Sequence, residues 1–163
     1  MIASPCCVQT PLFTPPPNQP IFFTLTCLQV GEAAFMKTQE QAESLARAMV
    51  EVGRHLNVDV RALLTEMDWP IGATIGNALE VFEAVQCLNN EGPADLKNLV
   101  TLEGGHLLHQ AGLAATPEEG AAKIAASLED GTARDAFKKM CVAVGTTPQD
   151  ADKLFEVSDT VTH

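Results

Sequence analysis

The sequence predicts an α/β fold that is mostly helical, in which one strand–helix–strand unit with two parallel strands is followed by a helical tail. A β-branched and aromatic run (Thr24–Val30) and an alternating apolar run (Val58–Thr65) flank a helical pattern (Lys37–Leu56). Glycine and proline then separate a series of helical segments. With 163 residues, 46% of them hydrophobic and 19% charged, the chain can form a domain with its own core.

The first helix is predicted by its start signal and by the spacing of its apolar residues. Thr38 and Gln41 form a capping box. The apolar residues predict one face that packs in the core; they are Ala42, Leu45, Met49, Val52 and Leu56. Because this helix joins two strands, the strands should be parallel neighbours. Two strands do not form a stable sheet alone, and the sequence offers no other candidate, so we expect an incomplete sheet.

Five more helices are predicted in the tail. Asn77 is expected to cap the helix that ends at Leu88, with Glu80 completing a capping box that is worth about 1 kcal/mol. In the later helices, proline stands near the start and glycine follows the end, as is usual for helices. The signals are Pro93, Thr116–Glu119, Gly131 and Thr147–Pro148.

The beginning of the chain differs from the rest. The first 31 residues contain no charged residue and no histidine, and they hold six of the ten prolines. They lack the basic start and unbroken apolar run of a secretory signal. We therefore predict a disordered leader over residues 1–23, a domain over 24–157 and a tail over 158–163. An alternative for Pro15–Pro17 is a ligand for an aromatic groove.

Charge and cysteine content exclude several classes of partner. The formal net charge of −11 argues against a nucleic-acid surface and against an anionic membrane. No apolar stretch approaches the roughly 20 residues that a membrane helix needs. The five cysteines show no C-x-x-C spacing, so we expect thiols in a reducing compartment and predict a cytoplasmic location.

The common catalytic motifs are missing from the sequence. It contains no nucleophile elbow, no Walker loop and no H-E-x-x-H motif. His106 and His109 lie three residues apart on one helical face, which suits either half of a metal site or ordinary helix packing. Small residues in the Gly31–Phe35 turn would let a ligand approach the end of a strand, where open α/β folds bind ligands.

Two longer stretches carry a resemblance to a known family. They read VGEAAFMKTQEQAESLARAMVEVG and ALLTEMDWPIGATIGNALEVFEAVQCLNNEGPADLKNLV, and within them GNALEV and EGPADL are the most specific blocks. These blocks, in this order and at these separations, resemble the middle part of thymidine phosphorylase and the related pyrimidine-nucleoside phosphorylases. The resemblance runs from about Leu28 to about Phe155 and implies part of a nucleoside phosphorylase α/β domain.

The resemblance implies a reaction in which inorganic phosphate attacks C1′ of a pyrimidine nucleoside and releases the base. Phosphate is then a co-substrate, no organic cofactor is needed, and a homodimer is expected. The family's phosphate loop and its pyrimidine-gripping residues have no counterpart here, so no catalytic residue is assigned and no turnover is expected from this chain alone. The alternative is a catalytically incompetent form that acts as a helical interaction module.

One substrate contact is carried over from the family. Phe35 matches the position that lines the pocket beside the 5-substituent of the pyrimidine, where an apolar side chain suits a thymine methyl group. The alternative is a core phenylalanine at the end of a strand. Gln29 stands where the family usually has lysine, Ala33 replaces a family glycine, and Glu32 occupies a variable site.

A cation site is also implied. In bacterial members of the family, the P-L-G-x-x-x-G-N-A-L-E-V-x-E loop binds potassium. The matching groups here are the backbone oxygens of Ile71 and Thr74 and the carboxylate of Glu83. The alternative is that the loop is only a tight connection and that Glu83 lies on a solvated face. Capping explains Glu80 better than ligation does.

Overall fold

The computed structural model of the chain describes residues 7–9 and 23–156. These residues form three strands, β1 (Cys7–Gln9), β2 (Phe23–Val30) and β3 (Asp59–Glu66). They also form six helices: α1 (Gln39–Leu56), α2 (Asn77–Leu88), α3 (Ala94–Gln110), α4 (Pro117–Glu129), α5 (Thr132–Ala143) and α6 (Pro148–Glu156). Most of the predicted leader, Pro15–Pro17 and the predicted tail lie outside the described residues, so the domain boundaries stay predictions.

The three strands form one sheet in the order β1-β3-β2. β2 and β3 are parallel and in register from Phe23 opposite Asp59 to Val30 opposite Glu66, which confirms the predicted strand–helix–strand unit. β1 lies antiparallel to β3, with Gln9 opposite Arg61. The expectation that the sequence offers no further strand was wrong, because a three-residue strand is too short to show a pattern.

The start of α1 matches its prediction closely. Thr38 is the N-cap, and its Oγ1 accepts a hydrogen bond from the Gln41 amide at 3.4 Å. The Gln41 side chain returns a bond to the Lys37 amide at 3.3 Å, one residue before the usual partner in a capping box. The C-cap is Asn57, whose φ of 56° is left-handed.

α1 buries only part of the predicted face: Ala42 is in the core as expected and Met49 is half-buried. Leu45, Val52 and Leu56 were expected in the core, but they are 38%, 56% and 67% exposed. The helix instead turns small residues toward the sheet, where they pack with alternate residues of β3. This core consists of Ala42, Ala46, Val50, Val60, Ala62 and Leu64, with Gly53 also buried.

Gly53 shows why the small face is the one that is buried. A Cβ on this residue would lie 2.2 Å from Cγ2 of Val60, far inside van der Waals contact. The backbone of α1 thus approaches β3 more closely than any larger side chain would allow, and this close approach leaves the long aliphatic side chains on the flank of the helix.

The N-cap of α2 is Gly76 and not Asn77 as predicted, and it provides no side-chain cap. Glu80 still has the predicted capping role, because its Oε1 accepts the Gly76 amide at 3.2 Å. Because the capping acceptor is the Glu80 side chain within the helix, the N-cap residue needs no side chain of its own. A glycine with φ of 133° can therefore occupy the N-cap position.

The later helices start where their signals predict, within one residue. α3 begins directly after Pro93. Thr116 Oγ1 accepts the Glu119 amide at 3.2 Å at the start of α4, and Thr147 Oγ1 accepts the Asp150 amide at 3.2 Å at the start of α6. Gly131 follows α4 and, with φ of 82°, is also the N-cap of α5.

The chain divides into two compact units, which we describe separately. The first holds the chain up to Pro70 together with His106–Gly120, and the second holds Ile71–Gly105 and the chain from Ala121 onward. In the first, the Gln110 side chain donates to the carbonyls of Thr24 (3.3 Å) and Asp59 (2.8 Å), which joins the starts of β2 and β3. In the second, the rings of Phe137 and Phe155 meet edge to face at 6.1 Å. Among the described residues, no helix is both long and apolar enough to cross a membrane.

Gly53→Ala is expected to lower the free energy of unfolding by about 1–3 kcal/mol, because the new methyl group overpacks against Val60. Helix propensity alone would favour alanine by about 1 kcal/mol. Urea denaturation of Gly53→Ala, Val60→Ala and the double variant measures the coupling. We expect Gly53→Ala to cost less in the Val60→Ala background. A stabilising Gly53→Ala in both backgrounds would contradict the close approach.

Candidate functional site

The turn after β2 is fixed by backbone hydrogen bonds. The Gly31 amide donates to the Met36 carbonyl, the Ala34 amide to the Gly31 carbonyl, and the Ala33 amide to the Met67 carbonyl, all at 3.0 Å. The last bond ties the turn to the segment that follows β3. The predicted ligand-approach turn is therefore a closed, ordered loop at the carboxyl ends of two parallel strands.

Asp68 holds this turn from the side. Its Oδ1 accepts the Glu32 amide at 2.9 Å. A Cβ on Gly31 would lie 2.4 Å from the same oxygen, and Gly31 has φ of 145°, so a side chain would collide with the carboxylate. Asp68 could not be predicted as a partner of this turn, because nothing in the sequence pairs it with a glycine 37 positions earlier.

Phe35 stands almost entirely in solvent. Its side chain is 97% exposed, although the turn that carries it is well ordered by hydrogen bonds. The alternative that Phe35 is a core residue is therefore wrong. A phenyl ring on a fixed turn at this edge of the sheet can cover an apolar group of a ligand.

In the second unit, the loop before α2 wraps around a buried acid. Glu83 is 4% exposed, so the alternative of a solvated face residue is wrong. Its Oε1 accepts the Ala73 amide at 2.7 Å. A Cβ on Gly72, whose φ is 80°, would lie 2.0 Å from Glu83 Oε2. The loop backbone thus lies directly on the carboxylate.

A second carboxylate contacts the same glycine. Asp95, in the first turn of α3, accepts the Gly72 amide through Oδ2 at 2.9 Å. This hydrogen bond, with a smaller contribution from the Leu96 amide, lowers the pKa of Asp95 below its ordinary value. Asp95 lies in the EGPADL block but was not predicted to have a role. An acidic residue in the first turn of a helix was the only signal for it in the sequence.

The loop also contains a buried oxygen with no hydrogen-bond partner in the described structure. This atom is Oγ1 of Thr74, and Ile71 and Thr74 are both half-buried. The sequence-predicted ligands Ile71, Thr74 and Glu83 thus belong to one loop–helix unit. Together these residues offer a carboxylate, main-chain carbonyls and a hydroxyl, and such a donor set would suit a hard cation. Phe35 belongs to the other unit and is a separate element.

The two histidines behave as packing residues. His109 Nδ1 lies 3.2 Å from the Ala114 carbonyl oxygen. His106 is buried, and burial, together with the nearby positive charge of Arg61, lowers the pKa of its imidazole. Within residues 7–9 and 23–156, no three His, Cys, Asp or Glu side chains cluster as a metal site would require.

Cys27, Cys87 and Cys141 carry no disulfide. Cys87 and Cys141 are buried, and Cys27 is exposed. Burial raises the pKa of the Cys87 thiol above its ordinary value, so the neutral thiol is favoured at this position.

Comparison with known proteins confirms the resemblance. Residues 19–134 match the glycosyl transferase family, a/b domain. The chain is 47% identical over 121 residues to thymidine phosphorylase of Homo sapiens, a match that covers 74% of this chain and 25% of that relative. It is 41% identical over 135 residues to thymidine phosphorylase of Mycobacterium tuberculosis, covering 83% and 30%. It is 37% identical over 118 residues to pyrimidine-nucleoside phosphorylase of Geobacillus stearothermophilus, covering 72% and 27%. These matches span about 25% to 30% of the length of the curated relatives.

Gly72→Ala is expected to destabilise the chain more than Gly112→Ala does. Both glycines have left-handed φ values, 80° and 73°, but a Cβ at Gly112 would meet nothing within 4 Å. Gly112→Ala should therefore cost only the backbone strain, about 1–2 kcal/mol. Gly72→Ala should cost at least about 1 kcal/mol more, because the methyl group displaces Glu83. Urea denaturation measures both, and equal losses would contradict the loop packing on the carboxylate.

Proposed function

The chain belongs to the glycosyl transferase family through its a/b domain, and on this basis we propose that it serves in the phosphorolysis of pyrimidine nucleosides. Inorganic phosphate attacks C1′ of the nucleoside, the bond from C1′ to the base breaks, and the free base leaves with a sugar 1-phosphate. With thymidine the products are thymine and 2-deoxyribose 1-phosphate. Identities of 37% to 47% to proteins named as such phosphorylases support this pentosyltransferase role in pyrimidine nucleoside metabolism.

The observation that carries the proposal is the burial of the Glu83 carboxylate against the loop that contains Gly72. We assign its carboxylate, with the main-chain oxygens of Ile71 and Thr74, to a potassium site. The buried Thr74 hydroxyl without a partner supports an additional polar ligand at this loop. Potassium, when bound, would supply positive charge and hold several loop oxygens together. Glu83 and Asp95 already fix the loop backbone through the amides of Ala73 and Gly72.

Phe35 is assigned to the pyrimidine. Its exposed ring is carried by a turn held on both sides by hydrogen bonds, so little entropy is lost when a ligand covers it. The ring offers apolar contact to a 5-methyl group but no hydrogen-bonding atom. Phe35 therefore acts in substrate selection and takes no part in bond cleavage.

The remaining elements of the proposal follow from the same family. Phosphate is the co-substrate, and no organic cofactor takes part in the reaction as written. We propose action in the cytoplasm, which the buried thiols of Cys87 and Cys141 support, and association into a homodimer.

Potassium chloride is expected to raise the melting temperature of the chain by about 2–6 °C relative to tetramethylammonium chloride at equal ionic strength. A cation present at about ten times its Kd stabilises a folded chain by about 1.4 kcal/mol. Glu83→Gln should abolish this difference because it removes the buried charge. Thermal unfolding followed by circular dichroism measures the effect.

Glu80→Gln is the matched control, because Glu80 lies on the same helix and only caps it. This variant should keep the potassium effect. A potassium effect that survives in Glu83→Gln, or one equal to that of tetramethylammonium, would contradict the assignment of the site.

Two assays test the reaction. The isolated chain, given thymidine and phosphate, should release no thymine above background, because it lacks the family's phosphate-loop motif. In a graft, the matched segment of the human thymidine phosphorylase is replaced by its counterpart from this chain. The graft should release thymine, and Phe35→Ala in the graft should reduce the preference for thymidine over deoxyuridine by up to about tenfold.

Helicity by circular dichroism checks that the graft folds. A folded graft without phosphorolysis would overturn the proposed function. An active graft whose Phe35→Ala form keeps its preference for thymidine would overturn only the role of Phe35.

A further inference from the structure

The end of α3 joins the segment His106–Gly120 to the sheet of the first compact unit. Gln110 makes the connection through its side-chain amide. Its Nε2 donates to the carbonyl oxygen of Asp59 at 2.8 Å and to that of Thr24 at 3.3 Å. These two bonds hold the last turn of α3 at the point where β2 and β3 begin.

His106 lies one helical turn before Gln110. Residues four apart are neighbours on the surface of a helix, so His106 shares the face of α3 that meets the sheet, and it is only 8% exposed. On β3, Arg61 follows Asp59 by two residues and therefore points to the same side of the strand. Its side chain is 14% exposed. A histidine that can gain a charge and an arginine that always carries one are thus withdrawn from water on one side of the sheet.

The charge of Arg61 is only partly compensated. Its Nη2 lies 3.6 Å from Asp59 Oδ2, which is longer than a hydrogen bond. Its Nη1 is buried and has no hydrogen-bond partner among the described residues. A guanidinium cannot lose its proton in a protein. A second positive charge in this place would therefore be opposed by burial and by repulsion from Arg61.

Two further titratable groups of the described residues act on His106. Glu118, in the first turn of α4, attracts a protonated imidazole, and His109 repels it. Glu118 is exposed, so water screens its attraction. Burial and the charge of Arg61 outweigh Glu118, and together they lower the pKa of His106 below its ordinary value.

We propose that His106 is a proton-sensitive latch between the end of α3 and the sheet. The neutral imidazole stays buried beside Arg61. When it takes up a proton from solvent, the new charge reaches water only if the segment His106–Gly120 loosens from the sheet. Mild acid should therefore open this segment at a pH where ordinary carboxylates, with pKa values of about 4, are still ionised. The latch does not depend on the proposed phosphorolysis.

The direction of the pH dependence follows from the lowered pKa of His106. In the unfolded chain a histidine has a pKa of about 6.5, so the unfolded state takes up the proton at a higher pH than the folded state does. The stability is complete above about pH 7.5 and falls as the pH drops below about 6.5. For one proton, the unfolding equilibrium constant rises by at most about tenfold per pH unit.

Urea denaturation of the full chain between about pH 7.5 and 5.5 tests the latch. The unchanged chain should lose stability across this range, and His106→Gln, which has no proton to gain, should lose severalfold less. His55→Gln is the matched control, because the His55 side chain is 66% exposed, and it should keep the full pH dependence. Backbone hydrogen exchange, corrected for the intrinsic effect of pH, should become faster in residues 106–120 than in α5 as the pH falls.

Nuclear magnetic resonance of the imidazole groups gives a second readout that needs no change at His106. The His106 resonance should titrate at a lower pH than that of His55. Arg61→Gln should move the His106 midpoint to higher pH, because it removes the opposing charge.

Several results would overturn the proposal. One is a pH dependence of stability that survives in His106→Gln, and another is a His106 midpoint equal to that of His55. A midpoint that Arg61→Gln leaves in place would exclude the facing of these two side chains. Uniform exchange in residues 106–120 and in α5 would show that acid weakens the whole chain and opens no latch. If His106→Gln fails to fold, the titration and the exchange of the unchanged chain still decide between these outcomes.

Discussion

The close approach of α1 to β3 is the constraint on which the first unit depends. Gly53 against Val60, together with Ala42 and Ala46, lets the helix backbone lie directly on the strand. Dense contact at small residues stabilises a pair of elements through many weak dispersion contacts. The same geometry determines what remains exposed, because Leu45, Val52 and Leu56 lie on the flank of the helix and not on its buried face. A buried face and an uncovered apolar surface thus have one cause.

One local arrangement occurs at both candidate elements. At Gly31 and at Gly72, a glycine with positive φ lies against a carboxylate, and the amide of the following residue donates to that carboxylate. Asp68 is the acceptor in the first case and Glu83 in the second. Glu83 is buried and needs donors, whereas Asp68 is exposed; in both cases a glycine without a side chain lets the backbone supply a donor at close range. In a chain with 21 acidic and 10 basic residues, backbone amides can satisfy acids that lysine and arginine are too few to pair.

Much of the fold can be predicted from the sequence, because caps and apolar spacing are local signals. The parallel strands, the Thr38 cap and the starts of α4 and α6 were predicted in this way. The buried face of α1 was predicted only in part. Ala42 is buried as expected, but apolar spacing cannot show that the helix approaches the sheet so closely that small residues are buried while Leu45 and Val52 stay exposed. Asp68 and Asp95 act through glycines far away in sequence, so no local pattern predicts them. The ligand set at Glu83 came from family resemblance, and no spacing rule would have selected it.

The ligand set proposed for the Glu83 loop would suit a monovalent cation better than a divalent one. Asp95 is already engaged by the amides of Gly72 and Leu96, and Glu83 by that of Ala73, so their capacity to form a carboxylate cage is reduced. Magnesium requires near-ideal octahedral geometry at about 2.0–2.1 Å and retains several waters, and the proposed ligand set, mainly main-chain carbonyl oxygens, would not impose that geometry. Calcium gains affinity from several carboxylates. A potassium ion instead accepts carbonyl oxygens readily, and one buried carboxylate balances its single charge.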